Sequence, residues 1–234
     1  MNFFSIRFSR FFNLLLPLVM VMMVPVLAED TTKSTSENSR LSVSDILDRV
    51  EKRYAWTGFS ADFYQESTIK TIDITDTAEG KLYVKRPDKM RWEYTAPDVQ
   101  IIISDGLELW VFRPADNQVM MGKAPAFFGG GKGAGFLTDV RSIREQFDVS
   151  IAPQNGGGIH VLKLVPRSQT AELAAITLTI SDETFDVMTI VTENTYGDET
   201  RITLTGLQLN ADVADALFTF EVPEGAEILE LESR

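Results

Sequence analysis

Cysteine is absent from the chain, which excludes disulfide staples and thiolate chemistry. Histidine occurs once, at His160. A transition-metal site would then have to rest mostly on carboxylates, which suit harder ions. A Ser-His-Asp arrangement would have to form around that one residue, and no Gly-x-Ser-x-Gly elbow is present. His160 lies in a strand-like run and reads as a half-buried strand residue. Positive charge is also scarce: 22 Lys and Arg stand against 34 Asp and Glu, for a formal net charge of −12. Nucleic-acid affinity depends on lysine and arginine displacing counterions, and attachment to anionic headgroups needs basic clusters. The balance argues against both.

Apolar residues are abundant at the N-terminus. After Arg7 and Arg10, Phe11 to Leu27 is almost wholly apolar, and Val26 and Ala28 are the small residues that signal peptidase requires. Residues 1–28 are therefore predicted to be a signal peptide cleaved after Ala28. A membrane span, which needs roughly 20 apolar residues, is the rival reading. Pro17, Pro25 and the small-residue exit favour removal, and no cysteine follows for lipidation. Without this segment 206 residues remain, with a formal charge of −14, because it carries two arginines and no acid. The mature chain is expected to be soluble and exported. Residues 29–40 are small and polar and read as a flexible leader. Residues 41–234 are long enough for one core and read as a single domain.

In residues 41–56, Val43, Ile46, Leu47, Val50 and Tyr54 recur at helical spacing, with Asp48, Glu51, Lys52 and Arg53 opposite. This predicts an amphipathic helix with Ser44 as its N-cap. From Phe59 the period becomes two. Phe59, Ala61 and Phe63 share one face, Leu82 and Val84 oppose Lys81, Tyr83 and Lys85, and Met90, Trp92 and Tyr94 oppose Arg91 and Glu93. VQIIIS and LELWVF flank Asp105-Gly106, a dipeptide suited to a tight hairpin. Further strand-like runs are QVMM, FDVSI, IHVLKLV, AITLTI, DVMTIVTE and ETRITLTGLQL. Short strands with short polar turns predict one large antiparallel sheet that curls or closes.

Residues 124–147 break the pattern: two phenylalanines, a glycine tract, then a helix-like run in which Thr138 or Asp139 would cap and Val140, Ile143 and Phe147 share a face. A mobile cover and an ordinary crossover helix with a loose loop are both open readings. The tract GGGKGAG lacks the Gly-Lys-Ser/Thr ending of a phosphate loop. Asp73, Asp76 and Glu79 read as solvated residues of a hairpin connection, with no cleft to separate their pKa values. No catalytic residue, metal site or cofactor is indicated. Within KLYVKRPDKMRWEY, residues 81–94, Arg86 stands apart. It precedes Pro87 at a strand end, close to Met90 and Trp92, and its five-donor fork suits several carbonyl oxygens at once.

The elements FSADFYQ (59–65), G-x-L-Y-V-K-R-P (80–87), R-W-E-Y-x-x-P (91–97) and I-I-S-D-G-x-x-L-W (102–110) together resemble the LolA family of outer-membrane lipoprotein carriers. GFLTDVRSIREQF (135–147) resembles that family's lid segment, and LFTFEVPEGAEI (217–228) its terminal pattern. The resemblance implies an incompletely closed antiparallel β-barrel with a helical lid over an apolar cavity. It implies a monomeric, non-enzymatic periplasmic chaperone. The acyl chains of lipoproteins would arrive from an inner-membrane ABC transporter, LolCDE, and pass to an outer-membrane acceptor, LolB. Arg86 matches the arginine that latches the family's lid, and Trp92 its cavity tryptophan. Met90 departs from the family's frequent phenylalanine, and the GGGKG insertion is atypical. On this reading Val43, Ile46, Leu47 and Val50 form the inner face of the first lid helix. Met90, Trp92, Phe136, Leu137, Val140 and Ile143 are cavity or lid contacts. A periplasmic shuttle for glycolipid or phospholipid, and a structural or sensory β-module with a filled core, are the alternatives.

Overall fold

The computed structural model describes residues 41–125, 140–153, 156–168, 170–209 and 212–231. The predicted signal peptide and leader, Phe136, Leu137, Thr138, Asp139 and the GGGKG insertion lie outside the described residues. Helix α1 spans Val43–Arg53. Its cap is Ser42 rather than Ser44: the Ser42 hydroxyl accepts from the Asp45 amide at 3.2 Å, and the Asp45 carboxylate accepts from the Ser42 amide at 2.9 Å. The reciprocal bond needs an acidic or amide side chain three residues on. Ser42 has that in Asp45, whereas Ser44 has Leu47. The hydrogen bonds from Ser42 hold the Asp45 carboxyl below its usual range. Lys52 and Arg53 in the last turn complement the negative end of the helix dipole.

The strands are β1 (Gly58–Ile69), β2 (Ile74–Lys85), β3 (Lys89–Ala96), β4 (Gln100–Ser104), β5 (Glu108–Arg113) and β6 (Gln118–Lys123). After the short helix α2 (Ser142–Gln146) come β7 (Phe147–Ile151), β8 (Ile159–Pro166), β9 (Ala175–Ser181), β10 (Val187–Glu193), β11 (Glu199–Leu209) and β12 (Glu227–Glu230). They form one twelve-stranded sheet in the order β12-β6-β5-β4-β3-β2-β1-β11-β10-β9-β8-β7. Among the described residues β12 and β7, at its two ends, are not paired with each other, so the sheet is open and not closed into a barrel. Neighbours are antiparallel except β12, which runs parallel to β6.

The expected alternation is present. Phe59, Ala61 and Phe63 of β1, Leu82 and Val84 of β2, and Met90 and Trp92 of β3 are buried on one face, here called the front. Leu162, Leu164, Ile176, Leu178, Ile180, Ile190, Ile202 and Leu204 extend this cluster across β8 to β11. Gly80 opposes Phe63 on β1 and Tyr94 on β3. A Cβ there would stand 1.9 Å from the Glu93 carbonyl oxygen and 3.0 Å from the Phe63 ring. A larger residue would therefore force β2 and β3 apart.

The back face has its own apolar cluster. Ile103 pairs with Arg91 across β3 and β4, so it faces away from Trp92. Residues 212–220 run over this side. Phe220 packs on Trp110 and Phe112, and Phe218, in a 3-10 turn at Asp215–Phe218, is fully buried. The segment is fastened by Lys85 Nζ to the Val213 carbonyl (2.8 Å), Arg91 Nη1 to the Leu217 carbonyl (3.1 Å), and Lys85 and Lys89 to Asp215.

Four local expectations are corrected. The Asp105-Gly106 connection is a three-residue loop including Leu107, in which Gly106 takes positive φ and Asp105 does not. Instead the Asp105 carboxylate accepts from the Leu107 and Glu108 amides, both at 2.8 Å. Phe147 belongs to β7, because the helix-like run ends at Gln146 and pairing with β8 takes over. Asp76 and Glu79 lie within β2 rather than in the hairpin connection, on exposed positions as expected; Asp73 occupies the turn. The parallel β12 departs from a wholly antiparallel sheet.

Candidate functional site

The front cluster is covered by α1 and α2. Ile46, Leu47 and Val50 project from the underside of α1 and are 1–3% exposed, and Val43 packs partly buried at its start. Val140 and Ile143 join the same cluster from the α2 side. Met90 and Trp92 meet them from β3. The structure thus brings Val43, Ile46, Leu47, Val50, Met90, Trp92, Val140 and Ile143 into one apolar body. Trp92 Nε1 donates to the Met90 sulfur at 3.0 Å, so methionine at this position supplies an acceptor for a buried indole N–H. Phe63 stands edge-on to both Trp92 (4.8 Å) and Tyr94 (4.9 Å).

The helices are fastened by polar groups, all at the rim except the buried Tyr54 hydroxyl. Arg53 grips Asp186 with two hydrogen bonds, Nε to Oδ1 at 2.7 Å and Nη2 to Oδ2 at 3.1 Å. The Tyr54 hydroxyl accepts from the Val187 amide at 3.0 Å. Arg49 lies over the Phe185 ring at 5.1 Å, and His160 stacks against the same ring at 5.7 Å. The C-terminal half of α1 is therefore pinned to the β9–β10 connection. On the α2 side, Arg144 donates to the Ser44 hydroxyl and to Asp48, and Arg141 lies 3.9 Å from Glu51. Burial pushes the Tyr54 phenol up, and that of Tyr94 up to about 12.

Arg86 follows the end of β2. Its amide donates to the Thr57 carbonyl at 2.8 Å, which joins it to the link between α1 and β1. The residue is half-buried, with Nη2 shielded from solvent. Sequence reasoning did not identify Arg49, Arg53, Arg144 and Tyr54 as fastenings. The i, i+4 spacing of Arg49 and Arg53 was visible, but their partners Phe185 and Asp186 lie more than 130 residues away. Among the described residues no cluster of three His, Asp or Glu is placed to hold a metal ion.

A protein-family model described as "Outer membrane lipoprotein carrier protein LolA" matches residues 55–221. The outer-membrane lipoprotein carrier protein of Chromobacterium violaceum is similar to this chain, 31% identical over 170 residues, covering 73% of this chain and 80% of that protein. That of Alkalilimnicola ehrlichii is 27% identical over 227 residues, covering 94% of each. The crystal structure of an uncharacterized conserved protein from Thermus thermophilus shares the fold, with a TM-score of 0.52 at 18% identity, covering 82% of this chain and 100% of that one. The match to the family model runs from β1 through β11, and the chain belongs to the LolA family of outer-membrane lipoprotein carrier proteins.

Proposed function

We propose that the protein is a non-enzymatic periplasmic chaperone for the acyl chains of lipoproteins. It is exported, takes its cargo as it leaves the inner membrane through a LolCDE-type transporter, and delivers it to a LolB-type acceptor at the outer membrane. The observation that carries this reading is a continuous apolar front face closed by two helices whose ion pairs lie at the rim. Such a cover exchanges its own apolar side chains for those of a ligand once the rim contacts break.

The energetics suit a carrier that has no energy source of its own. Each buried methylene contributes about 0.8 kcal/mol, so one long acyl chain contributes on the order of 10 kcal/mol. Several chains fully buried would approach the ceiling of non-covalent affinity, about −18 to −21 kcal/mol, and release would be too slow. Displacing α1 and α2 offsets part of that gain. Arg86 serves as the latch on the empty state, with Val43, Ile46, Leu47, Val50, Met90, Trp92, Phe136, Leu137, Val140 and Ile143 as cavity and lid contacts.

The test is release of triacylated lipoprotein from inner-membrane vesicles into a soluble complex with the mature protein. Mass spectrometry of the bound material separates this reading from a glycolipid or phospholipid shuttle. In the same system Arg86→Leu is expected to load cargo normally and hand it over poorly. Normal handover by that variant counts against the latch.

A further inference from the structure

The front face changes character at one end. Along β1, Phe63 is followed on the same side by Gln65; along β3, Trp92 is followed by Tyr94; across β4, Gln100 pairs with Tyr94. A cleft of about 550 Å³ opens there, walled by Gln65, Tyr94, Gln100 and Arg113 and rimmed by Asp98 and Asp116. Its remaining walls include Ala78, Ala96 and Ala115, whose short side chains leave the space open. Tyr94 belongs to both regions: its ring packs against Phe63 while its hydroxyl donates to Gln65 Oε1 at 3.0 Å.

We infer that this cleft receives the polar junction of an acylated ligand, the ester-linked glyceryl unit and first peptide amides, while the chains lie against the apolar front. The inference rests on the carrier reading and adds to it where the non-hydrocarbon part of the cargo sits. Arg113 Nε donates to Gln100 Oε1 at 3.2 Å. That bond uses one of the guanidinium's five N–H groups and leaves the Gln100 amide as a further donor. Ester and peptide carbonyls are acceptors that match these donors, and peptide N–H groups match the Asp98 and Asp116 carboxylates. A hydrocarbon tail uses none of these groups, and the carboxylate of a fatty acid, like any anion, would meet Asp98 and Asp116 beside the one guanidinium. A phosphate-bearing headgroup would meet two carboxylates for one guanidinium, so the cleft's charge disfavours phospholipid and suits an uncharged ester–amide junction.

The test measures displacement of an apolar fluorophore from the mature protein by three probes: a dipalmitoylglyceryl-cysteinyl peptide amide, palmitate, and dipalmitoyl phosphatidylglycerol. The combined Gln100→Ala and Arg113→Ala variant is expected to lose about tenfold or more in affinity for the lipopeptide and to take palmitate as the parent does. Ala115→Trp, which fills the cleft from an exposed rim position, is expected to do the same. Unchanged palmitate uptake reports an intact fold. Lipopeptide binding equal to the parent's in both variants, or phosphatidylglycerol preferred over lipopeptide by the parent, overturns the assignment of the cleft. Failure of the parent to take up either lipopeptide or palmitate instead overturns the carrier reading, and this inference with it.

Discussion

Tyr54→Phe removes a single oxygen from the fastening of α1. The ring is 2% exposed and stands edge-on to Phe59 at 5.4 Å, a contact that phenylalanine keeps. What is lost is the acceptor for the Val187 amide, 3.0 Å away at the start of β10. A buried N–H left without a partner costs about 1–3 kcal/mol. If that cost falls on the closed arrangement, opening at this point becomes roughly 5- to 150-fold more frequent, since 1.4 kcal/mol is tenfold. Hydrogen exchange at the Val187 amide is the direct assay. Urea unfolding supplies the global change, and stopped-flow uptake of an apolar fluorophore reports whether the cover admits a ligand sooner. Unchanged exchange at Val187 would refute the reasoning, because the hydroxyl would then not be the group that holds this strand to the helix.

Gly80→Ala is expected to destabilise by about 3 kcal/mol or more, measured by urea unfolding, because its Cβ would meet the Glu93 carbonyl oxygen at 1.9 Å. Burial keeps Tyr94 neutral to about pH 12, whereas the unfolded chain ionises near pH 10. Its contribution is therefore fully present below pH 10 and is lost as pH rises toward 12. The loss is on the order of 2–3 kcal/mol, and Tyr94→Phe should flatten that part of the alkaline stability profile. Arg144→Gln breaks an exposed tie between α2 and α1 and should change global stability by less than about 1 kcal/mol. Fluorophore uptake by that variant should rise up to about fivefold, and a slower uptake would count against α2 as part of the cover.

Period-two alternation made β1, β2 and β3 legible because one face of each is buried and the other is not. The same logic explains why β12 was missed. Glu227, Ile228, Leu229 and Glu230 are all exposed, so no alternation marks them, and pairing with β6 decides their conformation. Helix α1 was legible from Ile46, Leu47 and Val50, but its first residue depended on which serine had an acid three positions on. The apolar members of the site were readable for a similar reason, since burial leaves a periodic trace. The fastenings left none. Arg53 and Tyr54 look like ordinary end-of-helix residues until the fold brings Asp186 and Val187 beside them. The polar cleft is also a product of assembly, drawing side chains from β1, β3, β4 and β5 that no local spacing connects.

Arg91 and Trp92 are neighbours on β3, yet they serve opposite sides of the sheet. The segment bearing Val213, Phe218 and Phe220 grips the reverse side with an oily layer of its own. In the carrier reading, any exchange beneath α1 would therefore take place on a plate already braced from behind. On that reading the packing of one side could be given up without the architecture, because cover and brace are assigned to different surfaces of the same strands.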